Sequence, residues 1–226
     1  MLRYLTSGES HGQSLISIID GLPSNVELNF DEINAELKKR QCGYGRGGRM
    51  KIESDKVNIL GGVRGKKTLG GPVSIEVKNR DYQNWTEYMA PMDDVDFETR
   101  KVDNVRPGHA DLVGCLKYDF TDARNVLERS SARETASRVA VGAICKQVLK
   151  NFDIDFVSHV IQIGNVKDEN VYDFDYIKNN VDSSEVRCAN KDMEAKMISQ
   201  IDEIKNERDT TVSYTHLRAH ETSAHL

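Results

Sequence analysis

Four cysteines, four prolines and a single tryptophan in 226 residues are too few to staple a loop-rich scaffold or line an aromatic surface. Cys42, Cys115, Cys145 and Cys188 stand far apart with no C-x-x-C spacing, which excludes a zinc ribbon or a redox pair. They are expected as reduced thiols of a cytoplasmic chain, and no metal site is expected. Long apolar runs are missing as well. The longest, residues 139–145, includes Gly142 and falls far short of the roughly 18 residues a membrane span needs. Glu9 arrives before any apolar stretch has formed, so no secretory signal is expected.

What is present is charge, unevenly spread. The whole chain carries −5, yet residues 38–67 hold ten Lys/Arg against only Glu53 and Asp55, a local +8 that leaves −13 elsewhere. Such a patch can collect a polyanion. Nucleic acid is the poorer candidate. Only Tyr44 interleaves as a stacking aromatic, and the acidic remainder would repel a phosphate backbone.

Hydropathy patterning predicts a strand over residues 15–23 and a helix from about 29 to 40 with acids in its first turn. Short strands are expected over 50–60 and 71–77, then a loop-rich stretch over 80–105 and a short helix after Pro107. The clearest helix runs from Ser131 to about Phe152, with Ala136, Val139, Ala140, Ala143, Ile144 and Val148 on one face. Ser131-x-x-Glu134 before it has the form of a capping box. A strand over 156–163 and a helix carrying Met193, Met197, Ile201 and Ile204 follow. Strands and helices do not alternate strictly, so the class is α+β with antiparallel sheets.

Two short motifs fail on context. Gly8-Glu9-Ser10-His11-Gly12 satisfies G-x-S-x-G, but a hydrolase elbow needs a strand-to-helix turn inside a parallel sheet, and a β-like run follows here. Serine hydrolysis remains only a remote alternative. Gly43-Tyr44-Gly45-Arg46-Gly47-Gly48 matches G-x-G-x-x-G, but it follows a helix and precedes a strand, the reverse of the dinucleotide fingerprint. The same glycines remove side chains around Arg46 and Arg49, letting two guanidiniums close on a ligand with several oxygens. A second anion site is expected at the start of the long helix, where Arg129-Ser130-Ser131-Ala132-Arg133 gathers hydroxyls, guanidiniums and backbone N–H groups. Each Ser there also has the plainer role of an N-cap. Arg106-Pro107-Gly108-His109-Ala110-Asp111 adds a histidine at a stiff turn.

Taken in order, four segments resemble the chorismate synthase family: Gly8 to Gly12, Arg40-Gln41-Cys42-Gly43-Tyr44-Gly45-Arg46-Gly47-Gly48-Arg49-Met50, Arg106 to Asp111, and Glu128-Arg129-Ser130-Ser131-Ala132-Arg133-Glu134-Thr135. The resemblance covers residues 1 to about 211. It implies one α+β domain with helices sandwiched between antiparallel sheets, assembled as a homotetramer. It also implies a lyase using reduced FMN that converts 5-enolpyruvylshikimate 3-phosphate to chorismate and phosphate, the last common step of aromatic amino acid biosynthesis. That substrate carries two carboxylates and a phosphate, which suits an arginine-lined pocket.

By the same resemblance His11 is the acid that eases phosphate departure and His109 manages charge beside the flavin ring. Histidine is the side chain whose ordinary ionisation falls near neutral pH. Ser10, Arg49 and Arg133 are expected to hold substrate, Arg129, Ser130 and Ser131 to meet FMN, and Arg40 and Arg46 to meet NADPH where the enzyme reduces its own flavin. The sequence departs from the family at Cys42, usually Gly, and at Leu69, usually Thr.

Residues 212–222 back-translate in one frame onto a sequence that resembles a transposon sequencing adapter, so 212–226 are expected to be a non-native tail on a chain whose family pattern is cut at Asp209-Thr210. Such a chain is expected not to turn substrate over, and the alternative function is an inactive anion-binding fragment.

Overall fold

The computed structural model describes residues 1–45, 52–207, 209 and 211–221. They divide into two compact units, the first formed by residues 1–38 and 49–144, the second by residues 39–48 and 145–226.

The first unit is built on a four-stranded sheet. β1 (Arg3–Ser7) and β2 (Ser14–Asp20) form a hairpin with Arg3 opposite Asp20. α1 (Phe30–Gln41) follows. Its first turn is capped by the Asn29 side chain, which accepts from the N–H groups of Asp31 and Glu32 at 3.1 and 3.3 Å. β3 (Val57–Gly61), the two-residue β4 (Val63–Arg64) and β5 (Lys67–Thr68), and β6 (Val73–Lys78) complete the set. The sheet order is β1-β2-β6-β3 with every pairing antiparallel, so the central strands are those with the strongest β-branched pattern.

Leu15 and Ile19 on β2 and Val73, Ile75 and Val77 on β6 are buried, while Ile18 between them is exposed. One face of the sheet is therefore covered, and Ile33 and Leu37, the i, i+4 pair of α1, are fully buried as well. Thr68 is buried beneath the turn that precedes α1. Its hydroxyl donates to the Pro23 carbonyl at 2.6 Å and accepts from Val26 N–H at 2.9 Å. Leu69 beside it is exposed, so the Thr-to-Leu departure leaves the hydroxyl that ties this turn in place.

A 3₁₀ turn (Arg80–Asn84) and α2 (Thr86–Met89) lie in the segment expected to be loop-rich. α3 (Asp111–Tyr118) and α4 (Arg124–Ser130) come next, the latter missed by the sequence reading. α5 (Thr135–Lys150) begins four residues later than expected, after a 3₁₀ turn over Ala132–Glu134. The capping box does not close. Ser131 accepts from Arg133 N–H at 3.3 Å, and the Glu134 carboxylate goes to the Thr6 hydroxyl at 2.9 Å and to Arg138 at 2.8 Å. A hydroxyl on one oxygen and a guanidinium on the other outweigh the reciprocal backbone contact.

In the second unit β7 (Ile154–Ile163) pairs with β8 (Val166–Lys167) on one side and β9 (Ser213–Glu221) on the other, all antiparallel. α6 (Phe174–Asn180), absent from the sequence reading, packs Ile177 with Val157 of β7, Val181 and Ala189. α7 (Lys191–Asn206) is capped by Asn190 and buries Met197 against Ile163, Val186 and Cys188.

The segment set aside as a tail is in part a strand, from Ser213 to Glu221. It covers the open edge of β7, while the side chains of residues 213–217 stay exposed, so its pairing rests on main-chain hydrogen bonds that make little demand on sequence. Among the described residues no disulfide forms, no group of three metal-ligating side chains gathers, and no helix is long and apolar enough to cross a membrane. The α+β class with antiparallel sheets holds.

Candidate functional site

The β1–β2 connection carries Gly8 to Gly12, and its backbone is shaped for a close approach. Gly8 has φ +99°, and a Cβ there would stand 2.3 Å from the Ser14 carbonyl oxygen, so only glycine fits. The loop lies between antiparallel strands rather than on a strand-to-helix turn, which disposes of the hydrolase elbow.

From this loop every residue of interest reaches the α4 end and the turn after it. Ser10, 1% exposed, donates its hydroxyl to Ser131 Oγ at 3.0 Å and its backbone N–H to the Glu128 carbonyl at 3.0 Å. His11 Nδ1 lies 2.8 and 3.0 Å from the two Glu128 carboxylate oxygens, and the His11 backbone N–H donates to Oε2 at 2.8 Å. Arg129 donates through Nη1 to the Gly8 carbonyl at 3.1 Å and through Nη2 to the Thr6 carbonyl and hydroxyl at 3.3 and 3.1 Å. Ser130 is exposed, and its hydroxyl donates back to the Val126 carbonyl at 2.8 Å.

His11 is held on its ring face as well. It stacks on Trp85 with centroids 3.9 Å apart, and the guanidiniums of Arg100 and Arg124 lie 4.5 and 5.1 Å from the same indole. Arg124 also donates to Glu128 Oε1 at 3.3 Å. The Glu128 side chain is only 2% exposed. Burial pushes its carboxyl up, but the hydrogen bonds and charge of His11, with Arg124, prevail and hold it below the usual carboxylate value.

Arg133 is placed differently from the expectation that it faces a ligand. It is 6% exposed, and its guanidinium donates to Asn79 Oδ1 at 2.7 Å, Asp55 Oδ1 at 2.6 Å and the Lys78 carbonyl at 3.3 Å, with Glu53 Oε2 3.7 Å away. Asn79 in turn donates to the carbonyls of Glu9 and Gly12 at 3.1 and 2.8 Å. Arg133 therefore supports the Ser10–His11 loop from beneath.

His109 belongs to a second cluster of the same unit. Its Nδ1 bonds Asp111, and Arg106 Nη2 lies 3.1 Å from the ring. Asp111 is fully buried, and the Arg106 hydrogen bond, outweighing burial, leads the groups that bring its carboxyl down to about 2. His109 and Arg106 stay partly exposed.

α3, which starts at Asp111, is pressed onto α4 where Gly114 meets Val126. Arg40, at the end of α1, falls in the second unit. In that unit Tyr44 donates its hydroxyl to the Asp202 carboxylate at 2.8 and 2.9 Å, tethering the start of the glycine segment. Arg46 and Arg49 lie outside the described residues.

Sequence reasoning missed Glu128, Trp85, Asn79 and Asp111 as members of these clusters. Glu128 and Asp111 were inside the quoted motifs. The available signal was that each is an acid beside arginines in a chain segment rich in them.

A family model described as chorismate synthase matches residues 2–226. The chorismate synthase of Alkaliphilus metalliredigens is 54% identical over 211 residues, covering 93% of this chain and 55% of the relative. That of Staphylococcus epidermidis is 51% identical over 213 residues, 92% of this chain and 55% of the relative. A crystal structure of chorismate synthase is similar with a TM-score of 0.73 at 36% identity, covering 96% of this chain and 58% of that one. The chain spans about half the length of the curated relatives it matches. With four motifs in register and a matching fold, the chain belongs to the chorismate synthase family.

Proposed function

We propose that this chain carries the site of a lyase that removes the 3-phosphate and a ring hydrogen from 5-enolpyruvylshikimate 3-phosphate in a 1,4-elimination, giving chorismate and phosphate. The observation that carries the reading is the pairwise bonding of Ser10, His11 and Gly8 to Ser131, Glu128 and Arg129, partners 117 to 121 positions away in the chain. It sets a histidine next to hydroxyls and guanidiniums, as departure of a phosphate requires. His11 gives a proton to the leaving phosphate oxygen. Ser10 and Arg49 hold the substrate, and Arg133 acts on it through Asn79 and the loop they support.

The donor set suits an anionic flavin phosphate and ring. Arg129 is exposed at the end of α4, and Arg106 and His109 offer partly exposed nitrogens around a carboxylate that keeps them aligned. Arg129, Ser130 and Ser131 would hold FMN, with His109 beside its ring, and Arg40 and Arg46 would meet NADPH where that serves as reductant. Held there, reduced FMN would supply electron density for cleavage of the C–O bond in an elimination with no net redox change. The enzyme works as a cytoplasmic homotetramer in the shikimate pathway, with residues 1–211 the N-terminal part of its single domain and residues 212–226 a non-native tail.

The test is anaerobic turnover with chemically reduced FMN, following chorismate and phosphate together. Replacing His11 by Ala is expected to cut turnover by roughly 10²- to 10⁴-fold, as loss of a general acid does, with FMN binding unchanged. A His11→Ala variant that keeps the parental rate refutes the proposal, and a chain that binds substrate yet forms no chorismate is the inactive anion-binding fragment instead.

A further inference from the structure

The carboxylate beneath His11 makes two contacts that constrain the ring further than a salt bridge does. Glu128 Oε2 accepts the His11 backbone N–H at 2.8 Å, and Oε1 lies 2.8 Å from Nδ1 of the same residue, with Arg124 Nη1 3.3 Å from Oε1. An ionised carboxylate can only accept, so each group facing it has to donate. The backbone N–H and the guanidinium do so by nature, and Nδ1 does so only when it carries the proton. The indole of Trp85, 3.9 Å away and stacked within 28° of the imidazole, fixes the ring plane.

We propose that Glu128 is the positioning residue for His11: it locks the imidazole in the Nδ1–H form and so makes Nε2 the nitrogen that exchanges a proton with the ligand. The first half stands on geometry, and the second rests on the reading of His11 as the acid. Free histidine in water prefers the opposite tautomer, so the lock reverses an intrinsic preference. The lowered carboxyl of Glu128 supports it by keeping the acceptor ionised. Glu128 also continues the support of the loop from the α4 side, opposite in kind to the Asn79 contacts, because it reads the protonation of a side chain as well as the path of the backbone.

A Gln at this position keeps the shape and loses one acceptor. Its oxygen serves the backbone N–H, which can neither give up its proton nor swing away as the Arg124 side chain can, so its NH₂ takes the place of Oε1, faces the ring and demands an unprotonated Nδ1. Glu128→Gln is therefore expected to flip His11 to the Nε2–H form. Long-range ¹H–¹⁵N correlation on the 226-residue chain with labelled histidine distinguishes the two forms, with the His11 signals assigned by their loss in His11→Ala. The parent is expected to show its protonated nitrogen at Nδ1 and the variant at Nε2.

Turnover of Glu128→Gln is expected to fall about 10²-fold or more in kcat with KM within threefold, as when a histidine is held in the wrong tautomer. A parent chain whose neutral His11 carries its proton on Nε2 overturns the proposal whether or not Glu128→Gln folds. Retention of the Nδ1–H form in a folded Glu128→Gln overturns it equally. A His11→Ala chain as active as the parent would sink the acid reading while leaving the tautomer result standing, so the two failures are distinct.

Discussion

Gly114→Ala is a small substitution with a sign that the packing of α3 on α4 decides. In an isolated helix, replacing an interior glycine by alanine stabilises by about 1 kcal/mol. Here the new Cβ would stand 2.3 and 2.7 Å from the two Cγ atoms of Val126 and 3.1 Å from its Cβ. Val126 is a buried, β-branched residue on a helix, so it has almost no second rotamer to turn to. Overpacking of this kind costs about 1–3 kcal/mol, and more when the neighbour cannot yield.

The expected net effect is a loss of about 1–2 kcal/mol, the propensity gain being outweighed, which for a chain of this size lowers the melting temperature by roughly 2–8 °C. Removing the obstacle isolates the cause. Val126→Ala alone is expected to cost about 1–2 kcal/mol for two lost methyl groups. Adding Gly114→Ala to it should then be neutral or stabilising, a coupling of at least about 1 kcal/mol between the sites. Denaturant midpoints of the four chains, with m-values compared, measure this cycle. A single Gly114→Ala chain that melts higher than the parent, or strict additivity of the pair, would refute the placement of α3 on α4.

Asp111 gives a pH signature. Its carboxyl is held at about 2 against an ordinary 3.8, so it stabilises the fold above that range and the contribution drains away as pH falls from about 4 toward 2. Urea midpoints across that window should fall more steeply for the parent than for Asp111→Asn, and parallel curves would count against the Arg106–Asp111 contact. Arg133→Met should destabilise by about 3–5 kcal/mol in denaturant unfolding, because a buried guanidinium that faces Glu53, Asp55 and Asn79 is removed from among them. A loss below about 1 kcal/mol would mean that the guanidinium faces outward after all.

The elements legible in the sequence are those whose periodicity is self-sufficient. β2 and β6 alternate over a buried face, and α1, α5 and α7 carry apolar stripes long enough to declare themselves. α4 is seven residues long and polar on most of its length, and it exists because Val126 and Glu128 are buried by partners distant in the chain. No local pattern announces that. The same holds for the capping box, whose Glu134 matched a local rule and was claimed by Thr6, 128 positions away.

The site was legible as a set of residue types and opaque as a set of partnerships. Its basic stretch shows why. Between Lys38 and Lys67 only Glu53 and Asp55 are acidic, and net charge treats them as partial neutralisation of a surface patch. In the structure both are buried, with Arg133 within 3.7 Å of one and 2.6 Å of the other. Arg133, expected at a ligand, is instead buried with these two acids inside the protein. What they stabilise is Asn79 and, through it, the loop that presents Ser10 and His11. Two acids inside an otherwise basic run are better read as the counter-ions of a buried cation than as a dilution of the patch, because a carboxylate is buried only where something pairs with it.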